Sequence, residues 1–110
     1  MKIHNVKFIC SDPAGLCDLR VDPIGSVQFN DNELINSTLT FVQNNNSGFE
    51  TSRNRFSYKF APTRFSAIKI PGQVFNYRPI SIVSGNSFAS IVSQPAGTFA
   101  IDANHHRCKF

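Results

Sequence analysis

The chain is poor in groups that could carry acid-base chemistry. It has two glutamates, Glu33 and Glu50, and three histidines placed near its ends, His4 and the adjacent pair His105-His106. General acid-base catalysis needs two groups of suitable pKa within reach of one reacting atom, so a hydrolase is not expected. Also missing are a serine in a nucleophile-elbow context and a glycine-rich loop with phosphate-binding spacing. The expected sets of catalytic residues and cofactors are therefore empty. The three cysteines, Cys10, Cys17 and Cys108, show neither the paired C-x-x-C spacing of a zinc site nor a redox motif, so no metal is expected. No stretch approaches the roughly 18 apolar residues of a membrane helix, which predicts a soluble protein with no membrane partner. The segment Met1 to Lys7 lacks the apolar region of a signal peptide, so a secreted form would already have lost its leader.

What the chain does have is apolar material along its whole length. Its 110 residues are 41% hydrophobic and include eleven phenylalanines, which suits one domain over residues 1–110 with a modest core. Two cysteines sit near opposite ends, and a Cys10–Cys108 bridge would close almost the whole domain, worth roughly 4 to 5 kcal/mol in the chain-entropy model. That reading places the protein in an oxidising compartment and leaves Cys17 over; the alternative is three reduced cysteines in a cytosolic protein. Charge is uneven. Residues 1–50 carry three bases against six acids, whereas residues 51–110 carry eight bases against Asp102 alone. A one-sided cationic surface attracts phosphate backbones or acidic partners, although a basic face can equally serve solubility.

Val6 to Ile9 reads as an opening strand. Asn30 and Glu33 have capping-box spacing, and Leu34, Ile35, Thr38, Leu39 and Val42 follow at one-face helical intervals, which predicts a helix from Asn30 to about Asn44. On that helix Thr38 faces the core, so the sequon Asn36-Ser37-Thr38 reads as a chance occurrence. The asparagine-rich loop Asn44 to Gly48 ends the helix. From Arg53 the period becomes two, with Phe56, Tyr58 and Phe60 alternating with Ser57 and Lys59, and Phe65 to Ile70 is another strand. Pro79 to Val83 and Phe88 to Val92 flank Gly85-Asn86 as a predicted β-hairpin. A strand near Thr98 to Ile101 and an extended tail complete an α+β layout: one helix packed on a twisted antiparallel sheet, with no internal repeats.

Arg53, Arg55, Lys59 and Arg64 surround Phe56, Tyr58 and Phe60, and cations interleaved with aromatic faces suit single-stranded RNA. The opposing expectation is that the alternate aromatics face the core. The order Phe8-Ile9-Cys10, one capped helix, an aromatic-rich strand, Arg78 opening a later strand and a terminal Cys108 resembles the small fungal guanyl-specific ribonucleases. The resemblance implies the microbial ribonuclease fold. It also implies that Tyr58 stands where those enzymes place a histidine, that Ser93 or Gln94 replaces their later histidine, and that Arg78 corresponds to their phosphate-binding arginine. A scaffold of this kind without its catalytic groups is similar to the ribonuclease-like effectors secreted by powdery-mildew fungi. This second likeness implies a secreted, monomeric, catalytically inactive virulence effector acting in the plant-cell cytoplasm. Its expected partners are RNA, ribosomes or host proteins, among them an intracellular immune receptor. Arg78, Lys59, Arg64, Tyr58, Arg53 and Arg55 are the expected contact residues. The alternative is an active small ribonuclease, with Glu50 and a tail histidine as relocated catalytic groups.

Overall fold

A computed structural model describes residues 1–12, 15–22, 27–42, 48–59, 63–70 and 81–103, and the backbone of 108–109. Every element among them is a β-strand. The strands recur in threes. The first coil holds β1 (Lys2–His4), β2 (Lys7–Ile9) and β3 (Cys17–Val21), and the second holds β4 (Val27–Asn30), β5 (Glu33–Ile35) and β6 (Ser37–Phe41). The third holds β7 (Phe49–Ser52), β8 (Arg55–Tyr58) and β9 (Ser66–Ile70). The fourth holds β10 (Ser81–Ser84), β11 (Ser87–Ser90) and β12 (Phe99–Ala103), and β13 (Cys108–Lys109) comes after it. Each strand pairs in parallel with its counterpart one coil away, giving sheets ordered β1-β4-β7-β10-β13, β2-β5-β8-β11 and β3-β6-β9-β12. The result is a parallel β-solenoid of three faces, in which each coil contacts chiefly its neighbours.

The core is built from rows of equivalent residues. Phe8, Leu34, Phe56 and Phe88 stack in one row of the second sheet. Leu19, Leu39, Ile68 and Ile101 stack in the third, and Ile3, Phe29, Thr51 and Val83 in the first. Phe29, Leu34, Leu39, Phe56 and Ile68 are fully buried. Aromatic rings add contacts between rows and coils: Phe41 stacks on Phe49 with centroids 3.9 Å apart, and Phe8 on Phe29 at 5.7 Å.

The corner between the first and second sheets is the same in every coil. Asn5, Asp31, Arg53 and Gly85 each turn the chain with a positive φ of 55, 59, 56 and 67°. The next residue is Val6, Asn32, Asn54 or Asn86, and the three asparagines form a ladder. The amide of Val6 donates to Asn32 Oδ1 at 2.9 Å, that of Asn32 to Asn54 Oδ1 at 3.0 Å, and that of Asn54 to Asn86 Oδ1 at 3.0 Å. In return each Nδ2 donates backwards at 3.0 Å, to the carbonyls of Ile3, Phe29 and Thr51. Corner backbone groups cannot join a sheet ladder, and burial forbids leaving them unpaired. The carboxamide supplies one acceptor and two donors, which is what the corner needs.

These observations correct the α+β expectation. Residues 33–41 are two strands meeting at Asn36, whose φ of 52° makes a one-residue corner. The corner shifts the side-chain alternation by one position, so the inward residues Leu34, Ser37, Leu39 and Phe41 fall at intervals of three and two. Combined with the half-buried Ile35 and Thr38, this imitates a helical stripe. The capping-box residues have other partners: Asn30 Oδ1 accepts from the Ser52 amide at 2.9 Å, and Glu33 faces Arg55 at 3.6 Å. The sheets are parallel, so Ser81–Ser84 and Ser87–Ser90 are strands as expected but not a hairpin; β10 pairs with β7 and β11 with β8. Internal repetition is present in the structure, at unequal spacing.

The cysteine pairing also differs. Cys10 bonds Cys17, seven residues on, with Cα atoms 5.4 Å apart. Cys17 stands in register with Ser37, and the Cys10 amide donates to the Ile35 carbonyl at 3.0 Å, so the bridge clamps a first-coil excursion at the corner that Asn36 turns alone in the second coil. A loop this short is worth about 2 to 3 kcal/mol rather than the larger value of an end-to-end bridge. Reductant should lower the melting temperature accordingly, and non-reducing peptide mapping should recover Cys10 joined to Cys17. Recovery of Cys10 joined to Cys108 would refute this pairing.

Candidate functional site

Among the described residues the expected contact residues do not gather at one site, although Arg53 and Arg55 share a groove. Tyr58 is buried, its hydroxyl donating to the Ser37 carbonyl at 2.9 Å, and burial pushes its pKa well above the ordinary tyrosine value. Arg53 forks onto Asp31 through Nε at 2.8 Å and Nη2 at 3.2 Å. That hydrogen bond, reinforced by the arginine charge, holds the Asp31 carboxyl below its usual value. Arg55 pairs with Glu33 in the neighbouring coil. These two ion pairs line an open groove of about 390 Å³ beside Asn5 and Lys7, where the acidic second coil faces the basic third. Lys59 is exposed just beyond β8, its amide held by Asn36 Oδ1 at 2.8 Å. Arg64 lies apart from these, beside the third sheet. Arg78 and the tail pair His105-His106 fall outside the described residues.

A second groove, of about 650 Å³, runs over the outer face of the third sheet. Its floor comes from outward residues of all four coils, Asp18, Thr38, Thr40, Lys69 and Asp102, and its wall from Arg64, Phe65, Gly97 and Phe99. The wall exists because the corners before β9 and β12 are excursions, whereas the corner before β6 is Asn36 alone. The turn from Pro95 to Thr98 closes with the Thr98 amide donating to the Pro95 carbonyl at 3.2 Å. Gly97 has a φ of 86°, and a Cβ there would stand 3.1 Å from Arg64 Cδ, so glycine both makes the turn and lets the arginine stem lie across it. Phe99 is 58% exposed.

The floor is a hydrogen-bonded network. Thr40 and Thr38 hydroxyls both donate to Asp18 Oδ1, at 2.7 and 2.9 Å, and Arg20 Nε donates to Oδ2 at 3.2 Å. Burial alone would raise the Asp18 pKa, but the bonds from Thr40, Thr38 and Arg20 outweigh it and hold the carboxyl below its usual value. With their protons committed to Asp18, the two threonine oxygens present lone pairs to solvent. The described lining carries two acids, Asp18 and Asp102, and two bases, Arg64 and Lys69, and is thus balanced in charge.

Behind Phe99 a smaller pocket of about 130 Å³ is lined by Tyr58, Phe65, Phe88, Gln94 and Thr98 among others. Gln94 Oε1 and Thr98 Oγ1 are buried there without a hydrogen-bond partner among the described residues. Such orphaned polar atoms cost about 1 to 3 kcal/mol each.

Sequence reasoning missed Asp18, Thr38, Thr40, Lys69, Asp102 and Phe99. The available signal was the recurring corner, Asn5-Val6-Lys7-Phe8, Asp31-Asn32-Glu33-Leu34, Arg53-Asn54-Arg55-Phe56 and Gly85-Asn86-Ser87-Phe88, which aligns the first and second sheets but leaves the register of the third open, because its strands follow at unequal distances. Among the described residues no three His, Cys, Asp or Glu side chains gather as a metal site, and no helix is long and apolar enough to cross a membrane. No family model, no curated protein and no solved structure matches this chain.

Proposed function

We propose that this chain is a secreted, non-enzymatic binding module, a rigid solenoid that holds its partner on an outer face. The observation that carries this reading is the dispersal, among the described residues, of the ionisable groups along the coils. Asp31 and Glu33 are each engaged by an arginine, and Asp18 by two threonines and an arginine. The remaining acid of the groove, Asp102, lies three strands from the Asp18 coil, about 14 Å at the usual strand spacing. Paired carboxylates that cleave glycosidic bonds work at about 5 to 9.5 Å. A face built from stacked coils instead supplies a long, regular surface, which is the way solenoids bind. The Cys10–Cys17 bridge supports the secreted setting.

The ribonuclease-like reading loses the helix and the antiparallel sheet that carried part of the likeness, and the plant-cell setting with a host receptor rested on the same likeness. RNA is also a poor match chemically. Phe56 and Tyr58 are buried rather than available for base stacking, and Arg53 and Arg55 are already neutralised.

The test is incubation of the oxidised protein with single-stranded RNA and with soluble polysaccharides, tracking polymer length and retention together. Intact polymers with retention of at least one are the expected result. Shortening of any polymer, abolished by a substitution in either groove, would overturn the reading.

A further inference from the structure

Resting on the binding-module reading, we infer that the groove over the third sheet takes a neutral, hydroxyl-rich oligosaccharide laid across the coils, with Phe99 as its stacking platform. Five features of the site match that chemistry. A sugar ring has an apolar C–H face, and the site offers an exposed phenylalanine ring at its wall. Sugar hydroxyls donate and accept at once, and the floor offers acceptors at Thr38, Thr40 and Asp102 beside donors at Lys69 and Arg64. The described lining carries two acids and two bases, with Arg20 paired to Asp18 beside it, so it has no strong excess of either sign to select polyanions or polycations. On the far side of Phe99, Gln94 Oε1 and Thr98 Oγ1 are buried without partners among the described residues, and a ligand hydroxyl that displaces the side chains covering them would supply the missing hydrogen bonds. The floor also repeats with the strands, and a pyranose unit is about as long as one strand spacing, so successive units meet successive coils.

Gly97 acts as a positioning residue. Its missing side chain leaves room for the Arg64 stem, whose Cδ would otherwise lie 3.1 Å from a Cβ.

The experiment is calorimetric titration of the folded, oxidised protein with linear hexasaccharides of glucose, mannose and xylose, with hexagalacturonate and a hexaribonucleotide as charged arms, at low and high salt. At least one neutral hexasaccharide should bind with little salt dependence. Phe99→Ala and Thr40→Val should weaken it tenfold or more, while Arg55→Ala, on the other groove, leaves it unchanged. Thr98→Val is the discriminating variant: removing a buried orphan hydroxyl should raise the melting temperature yet weaken binding about fivefold. A raised melting temperature with unchanged affinity would make that hydroxyl a packing defect and count against the pocket. Absence of binding by all neutral hexasaccharides, or binding indifferent to Phe99→Ala and Thr40→Val, would overturn the inference. Steeply salt-dependent binding of the charged arms alone would also overturn it, while leaving the binding-module reading standing. Cleavage of a hexasaccharide would instead sink that reading itself.

Discussion

Asn54→Ala should cost about 3 to 5 kcal/mol in urea unfolding, the upper end of what single substitutions do. Asn54 is fully buried, and its carboxamide is the middle rung of the ladder. Its loss removes the acceptor of the Asn32 amide at 3.0 Å and the Nδ2 group, whose two protons are shared among the Phe29 carbonyl, Thr51 Oγ1 and Asn86 Oδ1, each 3.0 Å away. The deficit is larger than the missing contacts alone, because the partners stay buried and unpaired. Asn54→Asp separates geometry from chemistry. A carboxylate keeps the shape but has no donors and brings a buried charge. Relative to the unaltered protein it should be more damaging at pH 7 than near pH 3, where protonation removes the charge and restores one donor. An effect under 1 kcal/mol for either variant at pH 7 would show that the ladder is dispensable.

Phe56→Ala is expected to cost about 3 to 5 kcal/mol, since a buried ring is replaced by a cavity that neighbouring coils cannot close without shifting register. The ring sits in the row Phe8, Leu34, Phe56 and Phe88, 5.1 Å from Phe88. The same row predicts tolerance as well. It already accommodates leucine one coil away, so Phe56→Leu should cost under about 1.5 kcal/mol. Thermal unfolding of the two variants side by side checks both figures, and equal losses would mean that the row is not the packing unit.

The helix-like spacing over residues 30–44 has a physical origin. Side-chain alternation has period two only within one strand, and the left-handed corner at Asn36 resets it. Two three- to five-residue strands joined by one residue thus place apolar side chains at spacings that a helix also produces. The local hairpin signal at Gly85-Asn86 failed for a related reason. Gly85 does turn the chain with a positive φ, but the Asn86 carboxamide bonds the Asn54 coil rather than its own turn. The repeat itself was hidden because equivalent asparagines lie 22 and 32 residues apart, so no fixed period aligns them. Lengths vary because the corner excursions absorb insertions without disturbing the strands.

By itself the sequence determined most of the extended segments outside residues 30–44. Val6 to Ile9, the alternation through Phe56 and Tyr58, Phe65 to Ile70, and the runs flanking Gly85-Asn86 all contain strands, since alternation and β-branched or aromatic residues are local properties. It also carried a disulfide at Cys10, though not its partner. Only the tertiary structure decided that the strands pair in parallel with the next coil, because direction and register depend on contacts between residues about 20 or more apart in sequence. The same long-range stacking put Asp18, Thr40, Lys69 and Asp102 on one floor while burying Tyr58 and neutralising Arg53 and Arg55. Residues remote in sequence become neighbours in a solenoid whenever they share a row, and no local pattern records which row that is.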